Sequence, residues 1–306
     1  MLYRPLGRTA FSVSEIGFGA ASWWGMRRFS EAEAVRLVHA AIGGGVTLFD
    51  TGSAYSGGEA EPRLGRALRG QDAARLVVAT KAGTWFEGGR VRRDFSPVAI
   101  VASAERSARN LGLESLPLLQ LHGPATHELT DELLAALRAL KARGVAQALG
   151  VNSFDPAVID RAIGLPDIDV VMVDYNVLRP QRAPLIARAA AAGKGVLAGM
   201  PLAMGHLGVR LHHIRGLRDL WYAARGLGRH RDTVVAGARF GFLQRLPDMT
   251  AAQAALAYVL ANPNVSSAVV GSTRLPHLMQ NLQASGLTLR PQVLDRIHAE
   301  QRRSAG

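Results

Sequence analysis

The chain has 306 residues, a formal net charge of +12 and no cysteine, which excludes disulfides, thiolate nucleophiles and cysteine metal sites. No run reaches the roughly 18–20 apolar residues that a membrane helix needs, and the opening Met1-Leu-Tyr-Arg-Pro-Leu-Gly-Arg has no signal-type apolar core, so a cytoplasmic chain without a membrane partner is expected. The positive charge comes mainly from arginines scattered along the sequence, with lysine only at 81, 141 and 194; this predicts a basic solvated surface and no nucleic-acid partner.

From the N-terminus, Leu2–Leu6 and Ser12–Ser14 flank a Gly7-Arg8 turn, a candidate hairpin under a barrel floor. Eight short apolar runs follow, each read as a strand covered on both faces. They are Glu15–Gly19, Thr47–Asp50, Leu76–Lys81, Leu118–His122, Ala148–Ser153, Val170–Tyr175, Gly195–Gly199 and Ser267–Gly271. Helices are predicted between them. Ser30 caps Glu31–Ile42, with Glu33 completing a capping box. Pro97 opens a helix to Leu111, ended by Gly112. Thr130 caps Asp131–Ala142, which Gly144 closes. Asp155-Pro156 starts another helix, and Thr250 starts one running to Leu260. Eight strands alternating with helices predict an α/β fold, a closed (β/α)8 TIM barrel forming a single domain over 1–306. No Gly-x-Gly-x-x-Gly follows the first strand, which argues against a Rossmann sheet.

The rhythm breaks at a long insertion, Gly205–Asp248, between the seventh and eighth strands. It carries His206, His212, His213, Trp221 and Tyr222. Helices over Arg215–Gly226 and Asp232–Gln244 are expected there. The insertion either shapes substrate access or packs on the barrel flank.

Four polar residues end strands or follow them closely: Asp50, Tyr55, Lys81 and His122. In a barrel these strand ends converge on one face. An acid, a phenol, an ammonium and an imidazole together make a proton-transfer group. A free tyrosine ionises near pH ~10, and a neighbouring ammonium favours its phenolate. Asp50 can hold Lys81 charged and aimed. His122 can orient a substrate oxygen, and Tyr55 can give or take the proton. No side chain supplies a hydride, so a nicotinamide cofactor is required. Trp23, Trp24, Trp85, Phe86 and Trp221 are substrate-side candidates, lining an apolar pocket or packing its rim; Tyr55 and His122 also face substrate in this reading.

The sequence resembles the aldo-keto reductase superfamily from end to end. The resemblance rests on Asp50-Thr-x-x-x-Tyr55 with Gly58 and Glu61, on Lys81, on Leu119-Gln-Leu-His122, on Ala148-Leu-Gly-Val-Asn-Ser-Phe, and on Val269-Val-Gly271-Ser-Thr followed by Asn281-Leu. It implies a (β/α)8 barrel, no metal, and NADPH as cofactor with NADH the alternative. It further implies that Asn152 and Ser153 bind the nicotinamide carboxamide. Gly271, Ser272, Thr273 and Arg274 would lie along the adenosine phosphate and ribose, Gln280 and Asn281 would reach the adenine, and Gly19, Asp50 and Leu202 would complete the cofactor set. Arg274 suits a 2′-phosphate, or is a solvated arginine at a helix start. Two positions depart from the family pattern. Met172 stands where a glutamine is usual, and Gly199 or Met200 where an aromatic stacks on the nicotinamide. Trp23, Trp85 or Trp221 are candidates to fill that space.

The function expected is reversible hydride transfer between nicotinamide and a carbonyl or alcohol, the substrate being an aldehyde, ketone or sugar. The alternative is a cofactor-binding regulatory or partner subunit with slow or no turnover. Oligomeric state is left open.

Overall fold

The computed structural model describes residues 1–203, 237 and 239–303. Eight parallel strands close into a barrel: β3 (Ile16–Gly19), β4 (Leu48–Asp50), β5 (Val77–Ala82), β8 (Leu116–His122), β9 (Ala146–Asn152), β10 (Val170–Asp174), β11 (Gly195–Gly199) and β12 (Ser267–Val270). In space they follow chain order, and β12 pairs with β3 to close the ring. Each barrel strand overlaps one of the eight apolar runs, with ends shifted by at most two residues.

Period-two alternation divides the apolar residues into two layers. Inside the barrel lie Leu48, Val77, Ala79, Leu118, Ala148, Val170, Met172, Leu197 and Val269. Outward residues such as Phe49, Val78, Leu119, Leu149 and Val171 pack with the helices in the larger core. Those helices are α1 (Glu31–Gly43), α2 (Ala60–Leu68), α3 (Pro97–Leu111), α4 (Asp131–Ala142), α5 (Pro156–Ile163), α6 (Ala183–Ala191), α7 (Ala251–Leu260), α8 (Leu275–Leu282) and α9 (Pro291–Arg303).

The antiparallel hairpin of β1 (Tyr3–Pro5) and β2 (Ser12–Ser14) covers the floor. Its Leu6 and Val13 are fully buried in the inner layer. The approach is close: Gly7 has φ of +59°, and a Cβ there would lie 2.1 Å from the Gly195 backbone nitrogen, so only glycine fits this turn.

The helix ends follow the predicted chemistry with one correction. Thr130, Asp155 and Thr250 cap α4, α5 and α7 through backbone amides, Pro97 opens α3, and Gly112 ends it at φ +67°. Ser30 caps α1 by accepting from the Glu33 amide, but the reciprocal half of the capping box is not formed. The Glu33 carboxylate lies 3.8 Å from Arg36 instead.

Another departure is the β-hairpin of β6 (Thr84–Glu87) and β7 (Arg90–Arg93) beyond β5, which the apolar pattern did not predict. A third lies at the end of the insertion. Instead of helix through Gln244, Arg239 and Phe240 form a turn, followed by a 3-10 helix over Gly241–Arg245. The helix expected over Arg215–Gly226 lies outside the described residues, as do His206, His212, His213, Trp221 and Tyr222. No helix among the described residues is long and apolar enough to cross a membrane.

Candidate active site

β4 delivers Asp50 and β5 delivers Lys81 into the barrel mouth. Lys81 is completely buried, yet its ammonium is fully engaged. Nζ donates to both Asp50 carboxylate oxygens and to the Thr51 carbonyl, each at 2.7 Å. A buried cation is tolerated only with such pairing. Burial alone would strip its proton, but the Asp50 carboxylate and then the Tyr55 phenol outweigh that and hold Lys81 above the ordinary lysine range.

Tyr55 begins a 3-10 turn after β4. Ser56, Gly57 and Gly58 follow at φ of +57°, +72° and +86°, three left-handed residues that reverse the chain at once. Ser56 Oγ then donates to the Ser22 carbonyl at 2.6 Å, fixing the turn to the loop after β3. The phenol ring is set 4.9 Å from Lys81 Nζ and meets the His122 ring edge-on, with centroids 5.3 Å apart.

His122 ends β8 with its side chain inward. Its Nδ1 pairs with Thr84 Oγ1 at 2.6 Å. Burial, then the Lys81 charge, depresses its pKa to about 3, so the imidazole is neutral near pH 7. With Nδ1 taken by Thr84, Nε2 remains for a ligand in the mouth. Thr84 is itself tied down. Ser53 Oγ bonds both the Lys81 and Thr84 carbonyls, at 3.1 and 2.6 Å.

The opposite arc of the mouth has different content. Asn152 ends β9 inward, 7% exposed, and its side-chain amide makes no hydrogen bond among the described residues. Its amide carries both donors and an acceptor, so this site fits a ligand with amide donors and acceptors. The next residue, Ser153, accepts from the Asp155 amide at 3.1 Å and retains its own O–H to donate. Met172 is buried in the inner layer of β10. A Cβ on Gly199 would meet Met172 Cε at 3.2 Å and Phe154 Cε1 at 3.5 Å. The space beside Gly199 is therefore bordered by Met172 and by Phe154, whose ring is 45% exposed. Arg182 holds the Phe154 carbonyl at 2.8 Å while its Nε donates to Asp174.

Beyond β12 the chain opens with Gly271 against Gly19, a Cβ on Gly271 coming within 3.0 Å of the Gly19 carbonyl oxygen. Ser272 Oγ bonds both the amide and the carbonyl of Arg274, making the turn into α8. Thr273 and Arg274 are half-buried, Gln280 is exposed and Asn281 is buried on the same short helix. Leu202 is half-buried after β11.

The tryptophans separate. Trp24 is a core residue, edge-on to Phe18. Trp23 is half-buried against the core. Trp85 lies under the Arg106 guanidinium on the α3 side of the hairpin. Its neighbour Phe86, by strand alternation on the other face, covers Gly57 and Gly58 beside Tyr55. Trp221 lies outside the described residues.

Thr84, Ser53, Gln120 and Phe154 also shape this site, and sequence reasoning assigned none of them a role. Gln120 lies beneath the ion pair, its Nε2 donating to Asp50 Oδ1 at 3.2 Å. The signal available for it was a polar residue at an inward position of an otherwise apolar strand.

Comparison with known proteins agrees with the fold and the motifs. The chain is 28% identical to D-threo-aldose 1-dehydrogenase from a Pseudomonas species, with 91% of each chain covered. It is 27% identical to a probable voltage-gated potassium channel subunit beta from Arabidopsis thaliana, over 97% of this chain and 95% of that one. Among solved structures it matches the holo form of aldo-keto reductase AKR11C1 from Bacillus halodurans with a TM-score of 0.81 and 26% identity, covering 98% of this chain and 96% of that one. The sequence profile of the aldo/keto reductase family matches residues 15–301, and the chain belongs to that family.

Proposed function

We propose that this chain is an NADPH-dependent oxidoreductase that interconverts a carbonyl and an alcohol, with Tyr55 as its general acid and base. The observation that carries this reading is the fully bonded Asp50–Lys81 pair set beside the Tyr55 phenol, with a neutral His122 across from it. The bound nicotinamide supplies or accepts the hydride. The chain's own residues handle the proton and the orientation.

His122 Nε2 holds the substrate oxygen within reach of Tyr55. Tyr55 gives its proton to that oxygen in the reducing direction and recovers it in the oxidising one. The ammonium of Lys81 stabilises the phenolate left behind, at no reorganisation cost because it is already in place. Asp50 keeps that ammonium charged and aimed.

Asn152 and Ser153 hold the carboxamide of the cofactor. Phe154 covers the space beside Gly199 in place of a strand-borne aromatic. Gly271, Ser272, Thr273 and Arg274 follow the phosphates and ribose, Gln280 and Asn281 reach the adenine, and Gly19 and Leu202 border the path. Arg274 offers a guanidinium to a 2′-phosphate, which favours NADPH over NADH. Phe86, which covers Gly57 and Gly58 beside Tyr55, is the described aromatic best supported on the substrate side, with Trp23 and Trp85 as further candidates. The aldose dehydrogenase relative makes sugar oxidation the first reaction to assay.

The test is direct. NADPH and NADH are titrated by fluorescence, and cofactor-linked turnover is then followed over aldehydes, ketones and aldoses. Binding without turnover on any of them would replace this reading with the regulatory-subunit one, which the potassium channel relative keeps in view. The absence of nicotinamide binding would remove both.

A further inference from the structure

Gln120 precedes His122 by two residues on β8 and so points to the same side, into the barrel. It is fully buried. Its register partner on β5 is Lys81, but below and on the other side the inner layer is apolar: Leu118 before it on the same strand, Ala148, Val170 and Met172 on the next two. Space is made by its register partner on β9, Gly150, where a Cβ would come within 3.0 Å of Gln120 Cγ. The amide donates from Nε2 to Asp50 Oδ1 at 3.2 Å, while its Oε1 is buried without a hydrogen-bond partner. An unpaired buried acceptor destabilises a fold, and an aliphatic side chain here would continue the apolar layer without that cost. Packing therefore does not explain the amide, whereas its contact with Asp50 does.

Asp50 already binds Lys81 through both oxygens. The Gln120 N–H end lies against one of those oxygens and offsets part of its negative charge. It also limits rotation of the carboxylate away from Nζ. Both effects leave more of the ammonium's field for Tyr55. Among the described residues, Lys81 from β5, His122 from β8 and, behind the lysine, Asp50 from β4 are the charged and titratable groups set beside that phenol. From the β6 hairpin the apolar Phe86 ring meets the turn at Gly57 and Gly58.

We propose that Gln120 is a positioning residue: by donating to the Asp50 carboxylate it sets the ion pair against which Tyr55 ionises. The proposal rests on the reading of Tyr55 as the proton-transfer residue, but its test needs neither cofactor nor substrate. Phenolate absorbance is titrated in the ultraviolet for the unmodified chain and for Gln120→Met and Gln120→Glu. Each is subtracted from the same protein carrying Tyr55→Phe, which isolates Tyr55 from the other tyrosines.

In Gln120→Met the Tyr55 midpoint moves to higher pH by about half a unit or more. In Gln120→Glu it moves further, because a second acid then stands beside Asp50. Gln120→Asn keeps the amide but withdraws it by one methylene from Asp50, so its midpoint follows that of the methionine variant; it also provides a milder change should either of the others fail to fold. An unmoved midpoint in the folded variants, with only a lowered Tm, means that Gln120 merely fills space and overturns the proposal. A shifted midpoint in a chain that never turns over leaves Gln120's role standing and removes the oxidoreductase reading. Turnover with an unmoved midpoint does the reverse.

Discussion

The two arcs of the barrel mouth are built on opposite principles. On β4, β5 and β8 the groups proposed to react are held by the protein itself. Lys81 uses its ammonium on Asp50 and Thr51, and His122 is fixed through Thr84. On β9, β10 and β11 the mouth offers the Asn152 amide, without a hydrogen-bond partner among the described residues, a methionine and a glycine. The first arc is complete before any ligand arrives. The second leaves its hydrogen bonds to be met from outside. Preorganisation of this kind belongs where charge develops during reaction, since fixed dipoles need no reorganisation at that moment. A binding surface can instead be completed by what it binds.

The strongest way to break the comparison is at Tyr55. Tyr55→Phe is expected to lower turnover by roughly 10²–10⁴-fold with nicotinamide affinity nearly unchanged; single-turnover kinetics beside a fluorescence titration checks both. Retained turnover would falsify the assignment of the proton to this residue. Lys81→Met should also cost stability, since it leaves the Asp50 carboxylate buried without its cation. Denaturant unfolding should show a loss of about 3–5 kcal/mol, and adding Asp50→Leu should recover much of it without restoring turnover.

Thr84→Val removes the partner of His122 Nδ1, and a loss of about tenfold in turnover is expected, the worth of one hydrogen bond. Cofactor affinity in that variant should stay put; if it falls instead, Thr84 serves the other arc. Phe154→Ala probes that other arc. Cofactor binding should weaken by a few-fold to about tenfold, the scale of one aromatic contact, while the Tyr55 titration stays where it was.

A separate effect is expected in the pH dependence of stability. His122 titrates near 3 when folded against 6.5 for the ordinary side chain. Its folded value is depressed, so the unfolded chain binds the extra proton between those limits. The contribution is present above pH 6.5 and is lost as pH falls toward 3. Chemical denaturation at pH 7 and pH 5 should show a smaller drop in His122→Gln than in the unmodified chain. An equal drop would mean that the imidazole is not held neutral by its surroundings.

Much of this architecture was legible in the residues. The eight apolar runs each became a barrel strand, because a strand covered on both faces must be apolar throughout. The gathering of Asp50, Tyr55, Lys81 and His122 was legible because strand ends in a closed parallel barrel must share one face. The β6–β7 hairpin carried a signal that went unread, the Gly88-Gly89 pair between two four-residue runs. Both glycines adopt positive φ, +58° and +80°, as a tight two-residue connection requires. Glu33 shows the opposite failure: the capping-box spacing was present, yet the carboxylate turned toward Arg36, and a surface side chain has little to hold it to one choice.

By itself the sequence determined the number and order of the barrel strands and that Asp50, Lys81 and His122 would reach the mouth. These follow from local hydrophobic period and from chain order, which need no distant partner. Only the tertiary structure decided that His122 is fixed by Thr84, that Ser53 braces that threonine, that Gln120 reaches past β5 to Asp50, and that Phe154 borders Gly199. Each is a contact between different strands or loops, and its existence depends on barrel closure and register. No spacing along a single segment encodes it.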